Sequence, residues 1–195
     1  MAKVETDELL LQRAGAGNPA AFLELYERHR NSTFRFAYRL CGTVETAEDI
    51  THDCFLSLIT HPGNFKPERA SLRTYLLSAA RNLWLKSLRD HRRESAIDDF
   101  DDESFIAPTK HPISGLLEDE LTQRVKQAVS SLPPLQKEAL VLFEYEGLAL
   151  VEIAELVGTD VGAVKSRLSR ARESLRNALT PYLKSSQEIV TLEKA

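Results

Sequence analysis

Cysteine is nearly missing from this chain: Cys41 and Cys54 are the only two in 195 residues. Neither belongs to a CxxC pair, so a disulfide framework and a structural zinc site are both excluded. Long apolar runs are missing too; none approaches the roughly 20 residues that a membrane span needs. The opening MAKVETDELLLQ places acids before its short apolar stretch, unlike a secretory signal. A cytoplasmic protein without membrane insertion is the expectation. Strand patterns are almost lacking, because β-branched alternation is not sustained and apolar residues recur at helical spacing. Catalytic motifs are lacking as well. His29, His52, His61, His91 and His111 are scattered, there is no P-loop, HExxH or GxSxG, and Asp49 with Asp53 lacks a third ligand. No enzyme activity, cofactor or metal is expected.

A basic balance is also missing, since the net charge is −4 and the pI about 5.8. That sum hides a pattern. Residues 94–120 hold nine acids against the single base Lys110, a local net charge of −8, which leaves +4 for the rest. Within the rest, Arg81, Lys86, Arg89, Arg92 and Arg93 form one basic cluster, and Lys165, Arg167, Arg170, Arg172 and Arg176 form another. Each has enough charge to neutralise several phosphates, or to make an ordinary solvated helix face.

Along the chain, Asn18-Pro19 predicts an N-cap followed by proline in the first turn. The helical segment AAFLELYERHRNSTFRFAYRLCG follows and ends at Gly42. Thr46 with Asp49 approximates a capping box and predicts a helix over 47–60, broken by His61-Pro62-Gly63-Asn64. A long helix is expected over 71–92. Residues 94–112, acidic and without periodicity, read as a flexible linker. A second helical block is expected from Ile113, with Pro133-Pro134 opening a helix that Gly147 closes. The tail after Tyr182 is expected to be polar and frayed. The expected fold is all-α, with a first domain over 1–93, the linker over 94–112, a second domain over 113–184 and a tail over 185–195.

Two faces stand out. In LALVEIAELVGTDVGAVKSRLSRARESLR, Ile153, Ala154, Val157, Val161, Val164 and Leu168 fit the buried positions of two helices joined at Gly158, a helix-turn-helix. Gly162, Ala163, Ser166, Ser169 and Arg170 then face outward, flanked by Lys165 and Arg172 on one side and Arg167 on the other. Small residues allow close approach to base edges, and arginine pairs with guanine. On 47–60, Ala47, Ile50, Cys54 and Leu58 form the core face, while Leu56 stands outward among Asp49, His52 and Asp53. That face is either a docking spot or an isolated exposed leucine.

In their order, AAFLELYERHRNSTFRFAYRLCG, AEDITHDCFLSLI, SLRTYLLSAARNLWLKSLR and EGLALVEIAELVGTDVGAVKSRLSRARESLR resemble the extracytoplasmic-function group of the sigma-70 family, over nearly the whole chain. The resemblance implies a sigma factor that brings RNA polymerase to promoters. It implies that Asp49, His52, Asp53 and Leu56 meet the clamp helices of core RNA polymerase. Asn64, Phe65, Arg73, Thr74, Tyr75 and Asn82 would capture the opened −10 strand, with Lys86 and Arg89 on its backbone. Gly162, Ala163, Lys165, Ser166, Arg167, Ser169, Arg170 and Arg172 would read the −35 duplex. Promoter DNA and core polymerase are the implied partners, with room for an anti-sigma factor. The competing readings are a helix-turn-helix regulator that binds DNA without polymerase, and a sigma mimic that sequesters a regulatory protein.

Overall fold

The structure, a computed structural model, describes residues 5–95 and 118–192. Most of the expected linker and the expected helical start at residues 113–117 therefore lie outside the described residues. The described residues are helical, with no strand among them. The chain divides into two compact units, residues 1–102 and 103–195.

Unit 1 holds α1 (Asp7–Gly15), α2 (Pro19–Cys41), α3 (Val44–Thr60), a 3-10 turn (Pro62–Asn64) and α4 (Leu72–Ser95). Asn18 caps α2 by accepting the Ala21 N–H at 3.1 Å, with Pro19 in the first turn. Gly42 ends α2 in the left-handed region at φ +83°, a conformation open to glycine at little cost. Helix α3 begins three residues earlier than the capping-box pattern suggests. Thr43, not Thr46, precedes it, and the two threonine hydroxyls hydrogen-bond each other at 2.8 Å instead of capping backbone. Apolar faces of α2, α3 and α4 meet in a core that includes Leu25, Phe36, Phe55, Leu58, Leu76 and Trp84. Helix α1 is tied to α2 by charge: Asp7 accepts from Arg28 at 3.1 Å and pairs with His29 at 2.7 Å.

Unit 2 holds α5 (Glu118–Ser130), α6 (Pro134–Leu140) running into a π turn (Val141–Tyr145), α7 (Leu150–Val157) and α8 (Val161–Leu192). The core is small and includes Leu140, Val141, Leu142, Ile153, Val164, Leu168 and Ala171. Gly147 and Gly158, at φ +70° and +72°, make the two turns that reverse the chain on either side of α7. Arg124 of α5 lies over the Tyr182 ring at 4.5 Å and donates to its hydroxyl at 2.9 Å.

Two boundaries differ from the sequence expectation. Glu94 and Ser95, expected in the linker, complete α4. The polar tail expected to fray after Tyr182 is instead helix through Leu192, with Pro181 inside it. Extending an existing helix needs no new nucleus, so a segment of ordinary helix formers such as Leu183, Lys184 and Gln187 prolongs α8.

Candidate nucleic-acid and polymerase interface

Helix α3 separates its two faces cleanly. Ala47, Ile50, Cys54, Phe55 and Leu58 are buried, while Asp49, His52 and Asp53 are exposed and Leu56 keeps 46% of its surface. Steps of about 100° per residue bring those four exposed residues within an arc of roughly 100°. Cys54 is a packing residue. Burial, and after it the charge of Asp53, pushes its thiol up to about 12, so it stays protonated and unreactive near neutral pH.

On α4, Tyr75, Asn82, Lys86 and Arg89 fall within a roughly 60° stripe centred about 130° around the helix from the core line of Leu72, Leu76, Ala80 and Trp84. Asn82, Lys86 and Arg89 are exposed, and Tyr75 is half-buried. Asn64 is exposed at the end of the 3-10 turn that leads toward this helix. Arg73 and Thr74 belong to the first turn but not to the stripe. Arg73 lies half-buried on the core side, and the Thr74 N–H donates to the Ser71 hydroxyl at 3.2 Å, which makes Ser71 the helix cap. The expectation for Phe65 needs correcting. It is 6% exposed and meets the Tyr75 ring edge-on, 5.6 Å between centroids, so its ring supports Tyr75 rather than facing a base. Burial of Tyr75 itself, and after it Cys54, raises the pKa of its phenol above the usual tyrosine value.

In unit 2, α7, the Gly158 turn and α8 form the helix-turn-helix. Asp160 opens α8 by accepting the Ala163 N–H at 2.8 Å. Val164, Leu168 and Ala171 form its buried line. Gly162, Lys165, Ser169 and Arg170 are exposed, and Ala163 and Ser166 are half-buried. Arg170 donates to the Ser166 hydroxyl at 3.0 Å. A groove of about 410 Å³ beside this face is lined by Phe143, Leu150, Lys165, Ser169, Arg172 and Arg176, among others.

Two expected DNA contacts are engaged elsewhere. Arg167 forms an ion pair at 3.2 Å with Glu138 of α6, which is completely buried. Arg172 pairs with Glu144 at 2.8 Å and lies 5.3 Å over the Phe143 ring. Sequence reading missed Glu138, Phe143 and Glu144. An acid within the apolar run LQKEALVLFEYEG was the available signal for Glu138.

These features define a class: an all-α protein of two units, the second carrying a helix-turn-helix with an outward basic and hydroxylic face. Residues 25–94 match the family profile for Sigma-70 region 2, and residues 122–175 that for Sigma-70, region 4. The chain is 32% identical over 162 residues to the ECF RNA polymerase sigma factor SigE of Mycolicibacterium smegmatis, covering 82% of this chain but 62% of that relative. It is 28% identical over 189 residues to the RNA polymerase sigma-H factor of Pseudomonas aeruginosa, covering 93% and 98% of the two chains. Among solved structures, it is similar to the sigma factor RpoE of Bartonella quintana, solved with the anti-sigma factor NepR, at a TM-score of 0.63 and 25% identity, covering 82% and 96%. The chain belongs to the sigma-70 family of RNA polymerase sigma factors, in its extracytoplasmic-function group. No helix among the described residues is long and apolar enough to cross a membrane.

Proposed function

We propose that this protein docks on core RNA polymerase through unit 1 and directs it to promoters whose −10 and −35 elements the two units read in turn. The observation that carries this reading is the pairing of two outward faces in family order: the acid-ringed Leu56 face of α3, then the helix-turn-helix face of α8. Asp49, His52, Asp53 and Leu56 meet the polymerase clamp helices. Asn64, Tyr75 and Asn82 take the unstacked base of the opened strand, since an aromatic ring stacks on a base and an amide pairs with its edge. Arg73 and Thr74 shape the turn beside them, and Lys86 and Arg89 hold backbone phosphates. Gly162, Ala163, Lys165, Ser166, Ser169 and Arg170 face the −35 major groove. Arg172 reaches phosphate only by exchanging its Glu144 partner.

The protein performs no reaction of its own in this reading; polymerase supplies the chemistry. Opening the duplex to expose a base costs a few kcal/mol. Two short basic clusters on a chain of net charge −4 do not cover that cost alone. Promoter binding by the free protein is therefore weak, and a cytoplasmic location follows from the role. An anti-sigma factor is a further partner in this reading, as NepR is for the Bartonella protein.

Run-off transcription with core polymerase on a promoter library is the direct test. Transcription from a subset sharing two spaced elements supports the reading. Tight, sequence-specific footprinting by the free protein, with no effect of polymerase, would replace it with the ordinary regulator.

A further inference from the structure

We infer that Glu138 is a positioning residue for −35 reading: by holding Arg167 it sets the rotation of α8, although it touches no DNA itself. The inference rests on the reading of α8 as the −35 helix.

Glu138 is a fully buried carboxylate, and Arg167 is its partner at 3.2 Å with only 21% of its side chain exposed. A buried ion pair is a poor way to gain stability, because the loss of hydration roughly offsets the attraction and an apolar pair would serve as well. It does supply direction. One N–H of the planar guanidinium, on Nη1, points at one carboxylate oxygen, Oε1, and such a bond depends on angle as well as distance, whereas apolar contacts tolerate sliding.

A second charge pair makes the direction matter. Arg172, with about half of its side chain exposed, pairs with Glu144 at 2.8 Å and lies 5.3 Å over the Phe143 ring, both from the π turn that continues α6. By helical phase, Arg167 lies on one flank of the buried line Val164–Leu168–Ala171, and Arg172 lies on the other. One continuous segment therefore holds α8 from both sides, and rotation in either sense stretches one of the pairs. A rotation of about 20° at a helix radius of 5–6 Å moves outward atoms by about 2 Å. That is enough to lose a hydrogen bond to a base edge. The outward set of Gly162, Ser166, Ser169 and Arg170 is thus aimed by two carboxylates that stand behind it.

The test uses the full chain with core polymerase on duplex promoters randomised across the −35 element, comparing Glu138→Gln, Arg167→Ala and Arg167→Lys with the unsubstituted protein. Two quantities are read: the spread of transcription between best and worst −35 sequences, and the slope of promoter affinity against salt. The expected result is a spread narrowed by about 10-fold, the size of one lost base contact, in all three variants. The salt slope stays unchanged, and combining Glu138→Gln with Arg167→Ala adds nothing further. A slope reduced by about one in Arg167→Ala makes Arg167 a phosphate contact and overturns the inference. A uniform loss on every −35 sequence, with ratios intact, makes the pair merely structural and also overturns it. Should Glu138→Gln fail to fold by circular dichroism, Arg167→Lys carries the test, since it keeps the charge but replaces the planar guanidinium with a freely rotating ammonium that imposes no direction. Failure of the parent reading looks different: the unsubstituted protein itself would show no −35 preference, and both would fall.

Discussion

The two units present their outward faces by different means. In unit 1 the outward face of α3 is backed by apolar residues and by Thr51, whose buried hydroxyl bonds within its own helix to the Ala47 carbonyl at 2.6 Å; once Ala47, Ile50, Cys54 and Leu58 are buried, the phase of one helix decides where Asp49, His52, Asp53 and Leu56 point. In unit 2 the outward face of α8 is backed by a smaller core and by two charge pairs to the α6 segment. A protein-docking patch tolerates small rotations of its helix, because side chains on both partners adjust. Reading base edges does not, since the bidentate bonds involved depend on angle as well as distance. Arginine shows the contrast within a single turn of α8: Arg170 is exposed, while Arg167 is tied to a buried acid.

The largest effect expected from breaking this contrast is at Glu138. Glu138→Ala leaves Arg167 part-buried without that partner and should lower the stability of unit 2 by about 3–5 kcal/mol. Urea unfolding followed by far-UV circular dichroism measures it. Trp84 fluorescence serves as an internal reference, because the chain's single tryptophan is buried in unit 1. A loss below about 1 kcal/mol would mean that Arg167 reaches water by a small rearrangement, and the charge brace would be soft.

Next in size comes the opposite kind of change, Asp53→Lys. Nothing in the core depends on this exposed side chain, so stability should stay within about 0.5 kcal/mol. Affinity for core polymerase should fall by about 2–5 kcal/mol if the carboxylate meets a cation there. Competition for limiting core polymerase, beside a thermal melt, reads both quantities. Unaltered competition would remove Asp53 from the docking surface.

The same contrast explains what the sequence could reveal. The two-unit all-α fold, the α3 faces and the helix-turn-helix were legible because each follows from local periodicity plus glycine and proline punctuation. Phe65 and Arg167 were not, because their burial is decided by partners distant along the chain. Phe65 packs against Tyr75 ten residues on, and Arg167 pairs with Glu138 twenty-nine residues back. Helical phase places a side chain on a flank; only packing says whether an acid waits there. The missed start of α3 has a local cause. Thr43 and Thr46 are both credible caps, and their mutual hydrogen bond consumes the signal that separates them.

Arg170→Ala sharpens the comparison from the DNA side. If Arg170 pairs with a guanine, discrimination at one −35 position should fall by about 1–3 kcal/mol while other positions keep their preferences. Transcription from single-substitution −35 promoters measures this. A loss shared equally by all sequences would assign Arg170 to phosphate and leave Lys165, Ser166 and Ser169 as the base readers.

The smallest expected effect is at Gly162, and its sign carries the information. A Cβ at Gly162 would lie 2.9 Å from Asp160 Oδ1, the oxygen that accepts the Ala163 N–H and caps α8. Gly162→Ala thus forces the carboxylate aside and forfeits some of a cap worth about 0.5–2 kcal/mol. Against that stands the better helix propensity of alanine, up to about 1 kcal/mol. The two nearly cancel, so a net loss of about 0.5 kcal/mol in thermal unfolding of unit 2 is expected. In an Asp160→Ala background there is no carboxylate to displace, and the same Gly162→Ala change should become stabilising by up to about 1 kcal/mol. A glycine kept for its closeness to DNA alone would give the stabilising result in both backgrounds. Reversal of sign with Asp160 is therefore what separates a residue that serves the cap from one that serves only the groove.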